Sequence, residues 1–215
     1  MSAPSQERLC EACAHLSEAD PALAKAHSEI GPPNWRVVEP GYAGLARMIA
    51  FQQISTKAAA AIWGRVCDAV GEITPSAMLD ASDETLRGCG LSRPKISHLR
   101  AIAEANTCGD LPLETLGNHD IDDARARLVA VKGIGPWTAD VFLMTATGAL
   151  DAFPAGDVGL MESYRLLSGD QEKLKPKDFS ARAEGWRPFR GVAAHLLWDW
   201  INAQRDRDIA PVSTG

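Results

Sequence analysis

The sequence has no apolar run approaching the roughly 18 charge-free residues that a membrane-spanning helix needs. Its first ten residues, MSAPSQERLC, contain no hydrophobic stretch of a secretory leader. A membrane span and a leader are both unexpected. Cysteine is scarce and odd in number, at positions 10, 13, 67, 89 and 108, without the spacing of a disulfide framework. Cys10 and Cys13 form a lone CxxC that lacks the second pair of a zinc site and the strand-turn-helix setting of a redox site. They read as structural thiols. The five histidines are scattered, with no His-x-x-x-His and no carboxylate cluster to hold a catalytic metal. A basic excess is missing as well: 22 Lys and Arg stand against 28 Asp and Glu, a net charge of -6. That excludes a generic nucleic-acid coat, though not a protein that grips a polyanion at one small place.

Strand signals are equally poor. β-branched runs are short, while Ala and Leu abound and apolar residues recur three and four apart. The 215 residues therefore predict an all-α chain, one medium domain or two small packed ones. An entry segment over 6–28 leads to Gly31-Pro32-Pro33, which enforces an extended linker. A helix follows over 42–52 and breaks near Gln53-Ile54. Ser55 then has the chemistry of an N-cap for an Ala-rich helix over 56–70. Thr74-Pro75 and Ser82-Asp83-Glu84 open two short helices, and Pro94 sits just inside a third that runs to about Asn106. Residues 121–131 and 136–147 form two more helices, the second stopped at Gly148. A helix begins at Val158, and the last two fall near 178–184 and 188–202. No internal repeat, low-complexity tract or heptad seam interrupts this pattern.

The sharpest local signal is Lys132-Gly133-Ile134-Gly135-Pro136-Trp137-Thr138 between two of these helices. Two glycines one residue apart suit a tight turn, and Ile134 between them can point into the core. Backbone amides at the helix start would then face outward as donors for an anion such as phosphate. Taken alone, a Gly-x-Gly corner is more often a packing device. The Pro/Gly-bearing loop Phe153-Pro154-Ala155-Gly156-Asp157 follows, and its aspartate is a natural cap for the helix beginning at Val158.

Hairpin, loop and aspartate together resemble the helix-hairpin-helix base-excision DNA glycosylases. Further segments resemble the DNA-3-methyladenine glycosylase II family within that superfamily. These are Phe51-Gln52-Gln53-Ile54-Ser55-Thr56-Lys57-Ala58, Cys89-Gly90-Leu91-Ser92-Arg93-Pro94-Lys95, and Trp186-Arg187-Pro188-Phe189-Arg190 continuing to His195 and Trp198. The resemblance covers roughly residues 40–205 and implies a compact member without the N-terminal β-domain of longer relatives. It implies two packed helical subdomains with the active-site cleft between them. One would be 42–148 with the hairpin at about 121–147; the other would be 1–41 plus 149–215.

The function so implied is a monofunctional DNA glycosylase that flips alkylated purines of the 3-methyladenine or 7-methylguanine type out of double-stranded DNA and hydrolyses their N-glycosidic bond. Asp157 would stabilise the oxocarbenium-like transition state. Trp137 and Trp198 would stack on the cationic base, at about 0.5–2 kcal/mol per cation–π contact. Six Trp against five Phe and two Tyr suit such stacking, although Trp63 and Trp200 read as core and Trp35 and Trp186 as either. Gly133, Gly135, Lys132 and Thr138 would hold DNA, and Gln53 would plug the hole left by the base, with Ile54 as the fallback. Carbonyls of Val129, Val131 and Gly133 would hold a monovalent cation, sodium or potassium; no other cofactor is required. Trp137 stands where lyase relatives carry a lysine, so no strand cleavage is expected, and with no cysteine after Cys108 no iron–sulfur cluster is expected either. His195, on a largely apolar helix, reads as a satisfied core histidine. A monomer in the cytoplasm, at the nucleoid in a bacterium, completes the expectation. Two alternatives stay open: a non-catalytic helix-hairpin-helix DNA-binding protein, and a glycosylase for oxidised or mismatched bases.

The charge is unevenly spread. Residues 1–30 carry Glu7, Glu11, Glu18, Asp20 and Glu29 against Arg8 and Lys25, whereas 171–190 carry six Lys and Arg against three acids. Backbone donors at a hairpin can hold a few phosphates despite the net -6.

Overall fold

The computed structural model describes residues 3–209. Among them there are helices and no strands, so the chain is all-α. The helices are α1 (Gln6–Ala19), α2 (Pro21–Ile30), α3 (Gly41–Phe51), α4 (Thr56–Val70), α5 (Pro75–Asp80), α6 (Asp83–Gly88), α7 (Arg93–Cys108), α8 (Ile121–Ala130), α9 (Pro136–Phe142), α10 (Val158–Ser168), α11 (Pro176–Ala183) and α12 (Arg190–Ile209). They divide into two compact units, one of residues 38–147 and one of 3–37 with 148–209. Residues 1–2 and 210–215, which the sequence reading places in the second subdomain, lie outside the described residues.

Caps account for most helix starts. The side chains of Ser55, Thr74, Ser82, Ser92 and Asp120 each accept a backbone N–H in the first turn of α4, α5, α6, α7 and α8. In the first unit Leu45 and Ile49 of α3, Met78 of α5 and Leu99 and Ile102 of α7 are fully buried. Each such side chain contributes about 1.5–3 kcal/mol relative to exposure. Tyr42 fastens α3 to α7 through its hydroxyl, which donates to the Leu99 carbonyl at 3.0 Å.

Two elements differ from the sequence reading. The segment 6–28 is two helices, because Asp20 adopts an extended backbone and Pro21 restarts the chain. Asp20 is buried and fully used: Oδ1 accepts from Ala22 N at 2.9 Å, while Oδ2 accepts from Tyr164 Oη at 2.9 Å and Trp186 Nε1 at 3.0 Å. Trp186 is thus core, packed with Phe153, Tyr164 and Phe179. Trp200 is core too, its Nε1 donating to Glu29 at 2.8 Å. The second difference lies after Pro136, where the α-helix ends at Phe142 and a π-turn runs over Leu143–Thr147. Hydroxyls of Thr145 and Thr147 donate to the carbonyls of Val141 and Leu143, four residues earlier, and compete with the regular ladder.

All five cysteines are free thiols. Burial, with Cys10 adding to it, pushes the Cys13 thiol up to about 11, which makes it inert. Among the described residues no helix is long and apolar enough to cross a membrane.

Candidate functional site

The first unit carries the hairpin. Gly133 sits at φ +97°, and a Cβ there would lie 2.3 Å from Cγ of His98, so only glycine fits. Gly135 is different. Its φ is -84°, which any residue adopts, and nothing lies within 4 Å of the position a Cβ would take. The two glycines therefore answer different demands, one internal and one facing outward. Ile134 is buried between them, and its N–H donates to the Val131 carbonyl at 3.1 Å. An ion pair with a buried carboxylate braces the corner: half-exposed Arg125 of α8 donates from Nε to Oδ1 of Asp140 in α9 at 2.6 Å and from a terminal nitrogen to Oδ2 at 3.3 Å.

Trp137, in the first turn of α9, is 42% exposed, a large aromatic surface beside the hairpin. Lys132 is exposed, with Nζ donating to Ser97 Oγ at 3.1 Å. The Thr138 side chain is buried, and its hydroxyl accepts from Gln52 Nε2 at 2.9 Å, so the hydroxyl serves the scaffold.

That bond leads to the second exposed feature of this unit. Gln53 is exposed at φ +59°, the left-handed region rare for a residue with a Cβ, and Ile54 beside it is 40% exposed. Ser55 is a cap, its Oγ accepting Ala58 N at 3.3 Å. Lys95 of α7 reaches the end of α3, its Nζ donating to the carbonyls of Ala50 at 2.7 Å and Gln52 at 2.8 Å. Burial lowers the ammonium pKa below its ordinary value.

The second unit carries the aspartate. Arg190, itself mostly buried, and Arg187 both grip Asp151, at 2.8 and 2.6 Å, and both also bind Glu184. Gly191 N donates to the Leu150 carbonyl at 2.7 Å, and a Cβ on Gly191 would stand 2.8 Å from that same oxygen. The Trp186–Arg190 segment thus anchors the start of the loop that ends at Asp157. A turn between Pro154 O and Asp157 N, 2.8 Å, closes it. Asp157 Oδ1 accepts the N–H of Leu160 at 2.9 Å and the indole Nε1–H of Trp198 at 3.3 Å. The aspartate is at once a helix cap and the partner of the aromatic residue assigned to the base pocket.

Around Trp198 the structure assembles groups to which the sequence reading assigned no site role. The Arg36 guanidinium lies 4.7 Å from the Trp198 ring centroid and pairs with Asp199 at 3.7 Å. His195 meets Trp198 edge-on at 5.6 Å and stacks on Trp35 at 4.0 Å. His195 is only half satisfied, contrary to expectation: Nδ1 bonds to the Gly191 carbonyl at 2.8 Å, but buried Nε2 has no partner among the described residues. Burial pushes its pKa down to about 4. Only the skew towards Trp hinted at this cluster. Asp157 and Trp198 are thus joined directly, while Gly133, Gly135, Lys132, Trp137, Thr138 and Gln53 all belong to the first unit. Among the described residues no group of three or more His, Cys, Asp or Glu could hold a metal.

A glycine-constrained hairpin between two helices, with a loop-borne aspartate capping a later helix, defines a helix-hairpin-helix protein of DNA base excision. The comparisons agree: the model of the HhH-GPD superfamily of base excision DNA repair proteins matches residues 46–188, and the chain belongs to that superfamily. It is 34% identical over 201 residues to a DNA-3-methyladenine glycosylase of Schizosaccharomyces pombe, covering 88% of this chain and 86% of that protein. A DNA-3-methyladenine glycosidase structure from Bacillus halodurans superposes with a TM-score of 0.83 at 31% identity, covering 96% of this chain and 94% of that one. A Schizosaccharomyces pombe 3-methyladenine DNA glycosylase in complex with abasic DNA superposes with a TM-score of 0.76 at 31% identity, covering 88% and 95%.

Proposed function

We propose that the chain is a monofunctional DNA glycosylase that excises alkylated purines from double-stranded DNA in base excision repair, working as a monomer. The observation that carries this reading is the bond from Trp198 Nε1 to Asp157 Oδ1. It sets an aromatic ring and a carboxylate side by side, as stacking of a flipped base and stabilisation of its sugar require. The family and the names of its relatives support it.

Alkylation at N3 or N7 makes a purine cationic, and the faces of Trp198 and Trp137 attract that charge. The bond between the sugar C1′ and the ring nitrogen breaks, and its electron pair stays with the base, which leaves neutral. Positive charge then builds on the sugar ring. The Asp157 carboxylate, held by Leu160 N and Trp198, stabilises it and orients a water that bonds to C1′ and gives up its proton to solvent. The products are the free base and an abasic site. Trp137 replaces the lysine that Schiff-base chemistry would require.

Gln53 would fill the vacated stack, while Gly133, Gly135 and Lys132 hold phosphate. Open space at Gly135 fits a close approach from outside. The carbonyls of Val129, Val131 and Gly133 would hold a monovalent cation that adds positive charge towards phosphate. Val131 keeps one lone pair for it beyond the bond from Ile134 N.

The test is release of bases from randomly methylated duplex, with products separated chromatographically. Release of 3-methyladenine or 7-methylguanine supports the reading. Tight duplex binding with no base released would establish a binding protein instead, and release of oxidised or mismatched bases alone would redirect the specificity.

A further inference from the structure

We propose that Lys95 is a positioning residue for base flipping, the clamp that holds the Gln53 turn in the conformation that enters the duplex. The proposal rests on the reading of Gln53 as the plug.

The end of α3 leaves carbonyls with no helical donor, at the negative pole of the helix dipole. Lys95 Nζ supplies donors to two of them, Ala50 O at 2.7 Å and Gln52 O at 2.8 Å. The Gln52 carbonyl belongs to the peptide plane that precedes Gln53. Fixing that oxygen fixes the plane, which is one of the two sides of the φ dihedral of Gln53; the capped start of α4 holds the chain that follows. The value, +59°, is one that a residue with a Cβ holds only when its surroundings impose it.

A second tether acts on the same residue from the other side, Gln52 Nε2 donating to Thr138 Oγ1 at 2.9 Å. Gln52 is thus held by its backbone oxygen and its side chain, while Gln53 and Ile54 stay exposed. A lysine serving only as a phosphate contact would present its ammonium to solvent. This one is half-buried and turned onto backbone carbonyls. Lys95 stands at the end of the Cys89–Lys95 motif and Gln52 within the Phe51–Ala58 motif. The clamp is the physical link between these two segments.

The test compares Lys95→Met with the unaltered protein on methylated duplex and on the same strand without its complement, where no base pair has to be broken. Loss of two charge-assisted bonds should slow release from duplex about ten-fold, with the single-strand rate unchanged. Lys95→Arg, whose fork of donors can reach both carbonyls, should restore the duplex rate. Adding Gln53→Ala to Lys95→Met should bring little further loss, since both act through one turn.

A second readout needs no base release. 2-Aminopurine paired opposite an abasic site should brighten on binding as it is unstacked, and in Lys95→Met it should brighten less at saturating protein. If the unaltered protein brightens the probe yet releases no base, the glycosylase reading fails while the clamp is still measured. Should Lys95→Met not fold by circular dichroism, Lys95→Gln, which retains a donor for one carbonyl, should give a partial loss confined to duplex. Equal losses on both substrates, or losses that multiply with Gln53→Ala, would overturn the proposal.

Discussion

Asp157 and Trp198 are joined by one hydrogen bond, from the indole Nε1 to Oδ1 at 3.3 Å, and that oxygen also receives the Leu160 N–H at 2.9 Å. The carboxylate and the indole are therefore oriented by each other. Asp157→Asn keeps an amide oxygen for both donors, so the helix cap and the fold should persist. What disappears is the negative charge that the proposed chemistry sets against the sugar cation. Base release in single turnover should fall by at least about a hundred-fold, while affinity for abasic duplex holds. An unchanged rate would remove Asp157 from the mechanism.

The ring itself is tested by charge. Arg36 already lies over Trp198 at 4.7 Å, which shows that its face accommodates a cation. Trp198→Phe removes the N–H donor but retains a face; Trp198→Leu removes both. Release of cationic 7-methylguanine should suffer more from the Leu variant than release of a neutral base such as hypoxanthine, by a factor of about 3–30. Equal losses on the two bases would leave Trp198 a packing residue.

The hairpin glycines should separate stability from binding. Gly133→Ala forces a Cβ into a left-handed backbone and into the His98 ring, costing at least about 1–2 kcal/mol of stability. Gly135→Ala meets neither obstacle and should leave the melting temperature where it is. Its added methyl lies where phosphate would approach, so affinity for undamaged duplex should fall. Paired calorimetry and binding measurements decide it: normal affinity in Gly135→Ala would mean that the duplex does not touch this corner.

Abasic sites should survive this protein. The position that would carry a Schiff-base lysine is Trp137, and the nearby Lys132 precedes both hairpin glycines with its Nζ on Ser97 Oγ. Incubation with abasic duplex at neutral pH should leave the strands intact, and borohydride should trap no covalent adduct. A trapped adduct would identify a reacting amine and contradict hydrolysis as the sole chemistry.

What was legible in the sequence was what is encoded locally. Ser55 caps α4 and Pro136 opens α9 because caps and prolines act on the next few residues. Asp157 was legible both as a cap and, through its family motif, as the candidate carboxylate. The break at Asp20 escaped because the partners that hold it, Tyr164 and Trp186, lie more than 140 residues away. The same holds for the Trp35–His195–Trp198–Arg36 cluster, which joins the linker after α2 to α12. The direction of the Thr138 hydroxyl escaped for a related reason: only packing turns it inward onto Gln52. Lys95 stood inside a quoted motif, yet a lysine's reach along four methylenes leaves no periodic trace.

His195 makes stability depend on acidity. The imidazole is fully buried, stacked on Trp35, with Nε2 unpartnered among the described residues and with Arg36 and Asp199 as its charged neighbours. Its pKa in the folded protein is about 4 against 6.5 for an ordinary histidine. Between those values the unfolded chain takes up a proton that the folded chain refuses. Stability is therefore fully present above pH 6.5 and is lost progressively as the pH falls towards 4, by about 3 kcal/mol from this residue. His195→Phe keeps a ring against Trp35 and cannot titrate. Urea unfolding at pH 7.5, 5.5 and 4.5 should show the unaltered protein losing more stability than the variant across that window, with carboxylate titration common to both. Parallel losses would mean that the folded protein admits the proton. Neutral His195 also matters for the proposed chemistry, because an imidazolium edge-on to Trp198 would repel a cationic base. Below pH 5, where most histidines would carry charge, the pocket should still discriminate in favour of cationic purines.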